Sequence, residues 1–198
     1  MRALVVYCHP VEGSFNAAVL DVVTDDLRAA KAEVRVSNLY QRGFQPALTE
    51  MELTGYLDAP QNRAPVVQDV EDLLWCDTLI FVYPTWWYGL PAMLKGWLDR
   101  TMVPGVAFLM PDGVNKDIRR GLTHITRLGI FTTCGASWWL TQFMGAPGKR
   151  TLTRGLRSIL AARCRTVFAA HYLMDSSTPA SRKAHLERVR AKLARFIG

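Results

Sequence analysis

The chain has 198 residues, a 49% hydrophobic fraction and a formal charge of +7, which fits one domain over residues 1–198 with a substantial core. No apolar run reaches the ~20 residues needed to span a bilayer, and no leader-like segment stands at the start, so a cytoplasmic protein that is not membrane-embedded is expected. The basic charge gathers at Lys149–Arg157 and Arg182–Arg195, on segments whose other face is apolar, and no nucleic-acid motif accompanies it. Solvated helix faces explain it, with no nucleic-acid partner.

Taken in chain order, Ala3–Tyr7 reads as a first strand, ending in Cys8-His9-Pro10. Ser14 is placed to cap a helix with Ala18, Val19, Val22 and Leu27 on one face. Glu33–Ser37 alternates as a second strand. Residues 38–64 form a long excursion with a helical piece near Glu50–Leu57, and loops of that length are usually functional or cover a partner. Val66–Trp75 is helical, and Asp77–Tyr83 is a strand buried on both sides. Leu90, Met93, Leu94, Trp97 and Leu98 form one helical stripe, with Pro91 near the first turn, where a missing N–H costs nothing. Ile125–Phe131 is the next strand, followed by a helix with Leu152, Leu156, Ile159 and Leu160 inward. Thr166–Leu173 is a last strand, and Leu186, Val189, Leu193 and Phe196 mark a final amphipathic helix.

Five strands alternating with helices imply an α/β fold: a doubly wound, five-stranded parallel sheet with helices on both faces. Ligands of such sheets bind beyond the carboxyl ends of the strands, so three loops carry the functional reading. The first, Cys8–Asn16, opens the first helix; its free N–H groups suit a phosphate, and Ser14 and Asn16 add donors. The second, Tyr83-Pro84-Thr85-Trp86-Trp87-Tyr88-Gly89-Leu90-Pro91, crowds aromatics at a strand end, where a flat ligand or a partner would cover them. The third, Thr132-Thr133-Cys134-Gly135-Ala136-Ser137-Trp138-Trp139, is a tight polar loop whose backbone can approach a ligand. A polar loop opposite an aromatic one makes a slot suited to an isoalloxazine. Cys8, Cys76, Cys134 and Cys164 form no C-x-x-C pair and lie near no histidine cluster, so free thiols and no metal are expected.

The run from Tyr83 to Arg100, with its Pro91-Ala92-x-Leu94-Lys95-Gly96-Trp97 core, resembles the signature of the flavodoxin-like NAD(P)H:quinone oxidoreductases, both the DT-diaphorase type and the ancillary oxidoreductases of bacterial potassium-efflux systems. His9 and Ser14-Phe15-Asn16 are similar to that family's segment along the flavin phosphate arm, and Thr132–Gly135 resembles its Thr-Thr-Gly-Gly loop. The resemblance runs from the first strand to about Arg157. It implies FAD, with FMN as the alternative, NAD(P)H as co-substrate, a quinone-like acceptor and a homodimer whose partner subunit helps wall the site. By the same match, His9, Phe15 and Asn16 serve the dinucleotide arm, with Ser14 beside them as a cofactor-binding donor read from the loop itself. Pro84, Thr85, Trp86, Trp87 and Tyr88, with Thr132, Thr133, Cys134 and Gly135, hold the ring. Phe108 falls where the family places an aromatic against the substrate, and Trp138 and Trp139, which the match does not assign, are expected to join it as a stacking platform.

There are departures. Cys134 replaces a glycine, and Trp138, Trp139 and Pro147 stand where eukaryotic members carry an assisting tyrosine and histidine. No catalytic side chain is therefore carried over, and the backbone N–H groups of Thr133–Gly135 are expected to stabilise charge on the reduced ring. Two other readings stay open: a flavin-binding ancillary subunit of a membrane transporter, and an FMN-dependent azoreductase.

Overall fold

A computed structural model describes all 198 residues. Five strands form one parallel sheet: β1 (Arg2–Tyr7), β2 (Glu33–Asn38), β3 (Thr78–Thr85), β6 (Arg127–Cys134) and β7 (Arg165–His171), in the order β2-β1-β3-β6-β7. Two short strands, β4 (Phe108–Leu109) and β5 (Arg119–Arg120), pair antiparallel as a separate hairpin. The helices are α1 (Phe15–Ala29), α2 (Glu50–Thr54), α3 (Val67–Trp75), α4 (Ala92–Thr101), α5 (Trp138–Phe143), α6 (Pro147–Arg150) and α7 (Pro179–Ile197).

Strand alternation splits the core into two layers. Leu4, Val6, Leu79, Phe81, Leu128 and Ile130 face one cluster, which α3, α4 and the segment after α6 cover. Ala3, Val5, Ile80, Val82 and Phe131 face the other, which α1 and α7 cover. The sheet is thus wound on both faces, as the alternating pattern predicts. Its order reverses at β1, so the crevice at the carboxyl ends of β1 and β3 is the topological switch point.

Three features differ from the sequence reading. First, β3 and β6 run further than expected: Tyr83, Pro84 and Thr85 pair with Thr132, Thr133 and Cys134 in register. The first residues of both expected loops are therefore sheet. Pro84 is tolerated because the β1 ladder ends with Cys8 N–H donating to Val82 O at 3.0 Å. Residues 82 and 84 point the same way, so the missing N–H of Pro84 falls beyond the end of β1.

Second, the expected helix over Leu152–Leu160 is a wide π turn at Thr151–Gly155 followed by a tight 3₁₀ turn at Leu156–Ile159. Thr151 and Thr153 hydroxyls donate to the carbonyls four residues back, at 3.0 and 2.9 Å, a pattern that bends helices. Leu152, Leu156 and Leu160 are buried nonetheless, while Ile159 is only partly so. Third, α5 and the β4–β5 hairpin lie where loop was expected.

The excursion is fastened down rather than free. A Cβ on Gly96 would lie 2.1 Å from Pro46 O, so the excursion's backbone rests directly on α4 at that glycine. Arg100 Nε donates to Glu52 Oε1 at 2.7 Å, and buried Asp69 accepts from Trp97 Nε1 at 2.6 Å and from Arg42.

Candidate active site

The turns after β1, β3, β6 and β7 open on one cleft of about 740 Å³, within the ~300–1,000 Å³ usual for ligand sites. The β3 side contributes Pro84, Thr85, Trp86, Trp87 and Tyr88, and the β6 side Thr133, Cys134, Gly135 and Ala136. His9 closes one end, and Leu140, Met174 and Asp175 complete the wall.

The β3 turn is strained. Trp87 and Tyr88 both hold left-handed backbone, with φ of 49° and 60°, a region that bulky residues occupy only where the surroundings force them. The force is local: Gly89 N–H donates to Trp86 O at 2.9 Å, and Gly148 N–H donates to Tyr88 O at 3.2 Å. A Cβ on Gly148 would lie 2.9 Å from the Gly89 carbonyl carbon, so α6 presses on this turn. As a result Trp87 projects outward, 94% exposed. The N–H groups of Trp87, Tyr88, Gly135 and Ala136 make no hydrogen bond within the protein. Two backbone donors on each side of the slot are therefore left for a ligand. Thr133 and Cys134 are ladder residues, so the free donors sit one residue further along than the sequence reading placed them.

Cys134 is buried, its Sγ 3.6 Å from Thr141 Oγ1. Its side chain packs beneath α5, where it also borders a small cavity behind the cleft. The residue at the glycine's position is thus accommodated below the loop. Gly135 next to it is the close approach: a Cβ there would meet Asp175 Oδ2 at 2.8 Å.

The first loop works differently. His9 Nδ1 accepts from Val11 N–H at 3.0 Å, which curls the turn. Ser14 caps α1 by accepting from Ala17 N–H at 3.2 Å. No acidic residue occupies the first turn of α1, so its positive end is open to an anion. Asn16 is 3% exposed; its Nδ2 donates to Thr133 Oγ1 at 3.0 Å, and its Oδ1 has no partner. Phe15 turns toward His171 and His185, with ring centroids 5.3 and 5.9 Å away. Of the dinucleotide-arm residues, only His9 lines the cleft; Ser14, Phe15 and Asn16 lie beside it.

The substrate-facing residues do not converge on the cleft wall. Phe108 is half-buried in the β4–β5 hairpin, paired with Arg120. Trp138 and Trp139 pack edge to face, centroids 4.7 Å apart, on α5, with Trp139 77% exposed. On that helix it is Leu140 that lines the cleft. The sequence reading missed Asp175, the one carboxylate on the wall. The signal was available: β7 neighbours β6, so the turn after β7 must lie beside the β6 turn.

The chain shares its architecture with known proteins. The family described as having the flavodoxin-like fold matches residues 1–197. A ribosyldihydronicotinamide dehydrogenase [quinone] of Pongo abelii is 31% identical over 136 residues, covering 61% of this chain and 59% of the relative. The chain thus matches about three-fifths of the length of that curated relative. Among solved structures, an NAD(P)H:quinone oxidoreductase from Methanothermobacter marburgensis superposes with a TM-score of 0.82 at 24% identity, over 98% of this chain and 97% of that one. An FMN-dependent NADH-azoreductase from Bacillus anthracis, in complex with FMN, superposes with a TM-score of 0.75 at 14% identity, over 100% and 99%. At such identities these two likenesses speak to the fold.

Proposed function

We propose that this chain, which belongs to the family with the flavodoxin-like fold, works over residues 1–198 as a flavin-dependent NAD(P)H:quinone oxidoreductase. The observation that carries the reading is the slot between the β3 and β6 turns. It is walled by aromatics, lies at the switch point and has unpaired backbone donors on both sides. That donor set suits the edge of an isoalloxazine, which presents carbonyls and ring nitrogens. Asp175 offers an acceptor to a ring N–H. The curated relative described above is named for quinone reduction, which supports the same acceptor class here.

When bound, the flavin supplies the hydride chemistry, taking a hydride from NAD(P)H and delivering it to the acceptor. The chain binds and orients. The free Gly135 and Ala136 N–H groups would hold the edge of the ring, and preorganised donors of this kind are worth roughly 2.7–4 kcal/mol each in other enzymes. Trp86 and Trp87 cover an apolar face and exclude water. One open side serves both substrates in turn, so ping-pong kinetics are expected.

The cofactor we propose is FAD. Beyond Asp175, a groove of about 400 Å³ runs past Ser176, Ser177, Ser181 and Arg188, beside Phe15. It gives the adenosine monophosphate moiety that FAD adds to FMN room that FMN alone would leave empty. We propose a homodimer as well, because Trp139 and Phe143 beside the cleft are 77% and 86% exposed and form an apolar rim that a second copy would cover. Cys8, Cys76, Cys134 and Cys164 are all free and buried, which fits a reducing, cytoplasmic setting.

The test is to purify the protein, release its cofactor for mass measurement, and assay NAD(P)H oxidation with a benzoquinone. FAD and parallel-line double-reciprocal plots are expected. Protein without flavin, and without quinone-dependent oxidation when flavin is added, would overturn the reading.

A further inference from the structure

Reduction of a quinone needs a proton besides the hydride. A cavity of about 20 Å³ lies directly behind the cleft. Thr85, Tyr88 and Cys134 line both spaces, so they form the partition between them. Lys149, Tyr172 and Thr141 also line the cavity. A single water needs roughly 10–15 Å³ and two to four polar partners. The cavity has that room, and its lining includes residues that carry partners: Thr85 and Thr132, whose hydroxyls lie 2.8 Å apart, and Tyr88, Tyr172 and Lys149.

Lys149 is held in place. Its ammonium sits over the Phe168 ring, 4.8 Å from the centroid, a cation–π contact rather than an ion pair. The residue before it, Gly148, is bonded to Tyr88 O and pressed against Gly89, which ties the backbone of Lys149 to that of Tyr88. Burial raises the Tyr172 phenol above its ordinary value, which keeps it a neutral hydrogen-bond carrier.

We propose that this cavity is a proton relay in which one water connects the Lys149 ammonium to the Tyr88 phenol, and Tyr88 protonates the oxygen of the acceptor being reduced. The inference rests on the oxidoreductase reading above. The hydride brings the acceptor two electrons and one hydrogen, leaving an oxyanion. The Tyr88 O–H bond breaks as the acceptor's new O–H bond forms. The phenolate then takes a proton from the water, the water takes one from Lys149, and the half-buried amine recovers its proton from solvent. A quinone becomes a hydroquinone, and the chain returns to its starting state.

The experiment compares two acceptors on the flavin-loaded protein. A benzoquinone needs the proton; ferricyanide takes electrons alone. The ratio of quinone to ferricyanide turnover is expected to fall about 10²-fold in Tyr88→Phe, the lower end of general-acid effects, and about tenfold in Lys149→Met. A structural role alone would lower both activities together and leave the ratio unmoved. Independently of turnover, a high-resolution crystal structure is expected to show one water within hydrogen-bond distance of Lys149 Nζ and Tyr88 Oη. A dry cavity, or a wild-type ratio in both variants, overturns the relay, with His9, Asp175 or bulk solvent then supplying the proton. Protein that takes up no flavin and reduces neither acceptor refutes the oxidoreductase reading, and the relay falls with it.

Discussion

The run from Tyr83 to Arg100 reads as one signature, but its two halves do different work. The front half, Pro84 to Gly89, builds the cleft: its backbone is bent into left-handed φ at Trp87 and Tyr88, the N–H groups of those two residues are unpaired and Trp87 stands in solvent. In the rear half, Leu94 to Arg100, the inward residues are buried and engaged, while Lys95 and Asp99 pair on the solvent face. Leu94 and Trp97 fill the core, Gly96 lets Pro46 lie on α4, and Arg100 grips Glu52. A sequence motif therefore does not mark a site uniformly. The residues whose polar groups find no partner in the protein are the ones free to bind something else, and those with satisfied groups hold the scaffold.

That contrast can be broken from either side. The largest expected effect lies in the rear half's support. Asp69→Ala leaves the buried Trp97 Nε1 and the part-buried Arg42 guanidinium without their shared carboxylate, a loss of about 2–4 kcal/mol at about 1–3 kcal/mol for each orphaned group. Chemical denaturation measures it, and a loss under 1 kcal/mol would show that Asp69 is not a structural anchor. Gly96→Ala comes next. Its Cβ would meet a backbone carbonyl that cannot swing away, so a loss of about 1–3 kcal/mol is expected, with flavin affinity retained in the folded protein. Weakened flavin binding at unchanged stability would erase the division between the halves.

A change in the front half should do the reverse. Trp87→Ala removes a ring that touches little of the protein, so the melting temperature should hold. Flavin retention should weaken by about tenfold, the scale of one stacked aromatic contact. Unchanged affinity would assign Trp87 to a partner surface instead.

The gentlest change concerns a third region, the junction of α1, β7 and α7, and appears only in acid. Burial, then neighbouring His171 and Arg188, lowers His185 from the ordinary 6.5 to about 4. The unfolded chain binds more protons than the folded one across that window, so stability is full above pH 6.5 and declines as pH falls toward 4. His185→Phe should flatten this acid limb and leave neutral stability nearly untouched. An unaltered limb would place the acid sensitivity elsewhere.

Much of the molecule was legible in the chain. The strand-helix alternation gave the sheet, Ser14 gave the start of α1, and the strand ends gave the cleft. What escaped has physical reasons. Pro84 and the Thr132-Thr133 pair look like loop residues, and only the early end of β1 and the register with β6 make them sheet. The segment after Thr151 keeps a helical leucine spacing, so its threonine back-bonds, which distort it, are invisible to periodicity. The β4–β5 strands are two residues each, too short to alternate. Cys134 raised a question that sequence could not answer, because the direction of its side chain depends on α5 folding over it.

The measurement closest to the central claim is a flavin titration of cofactor-stripped protein, followed by the quenching of both flavin and tryptophan fluorescence. Saturation at one flavin per chain, with both signals quenched together, is what a ring held between the Trp86–Tyr88 and Thr133–Ala136 turns predicts. No saturable uptake, or uptake that leaves the tryptophan emission unmoved, would contradict it.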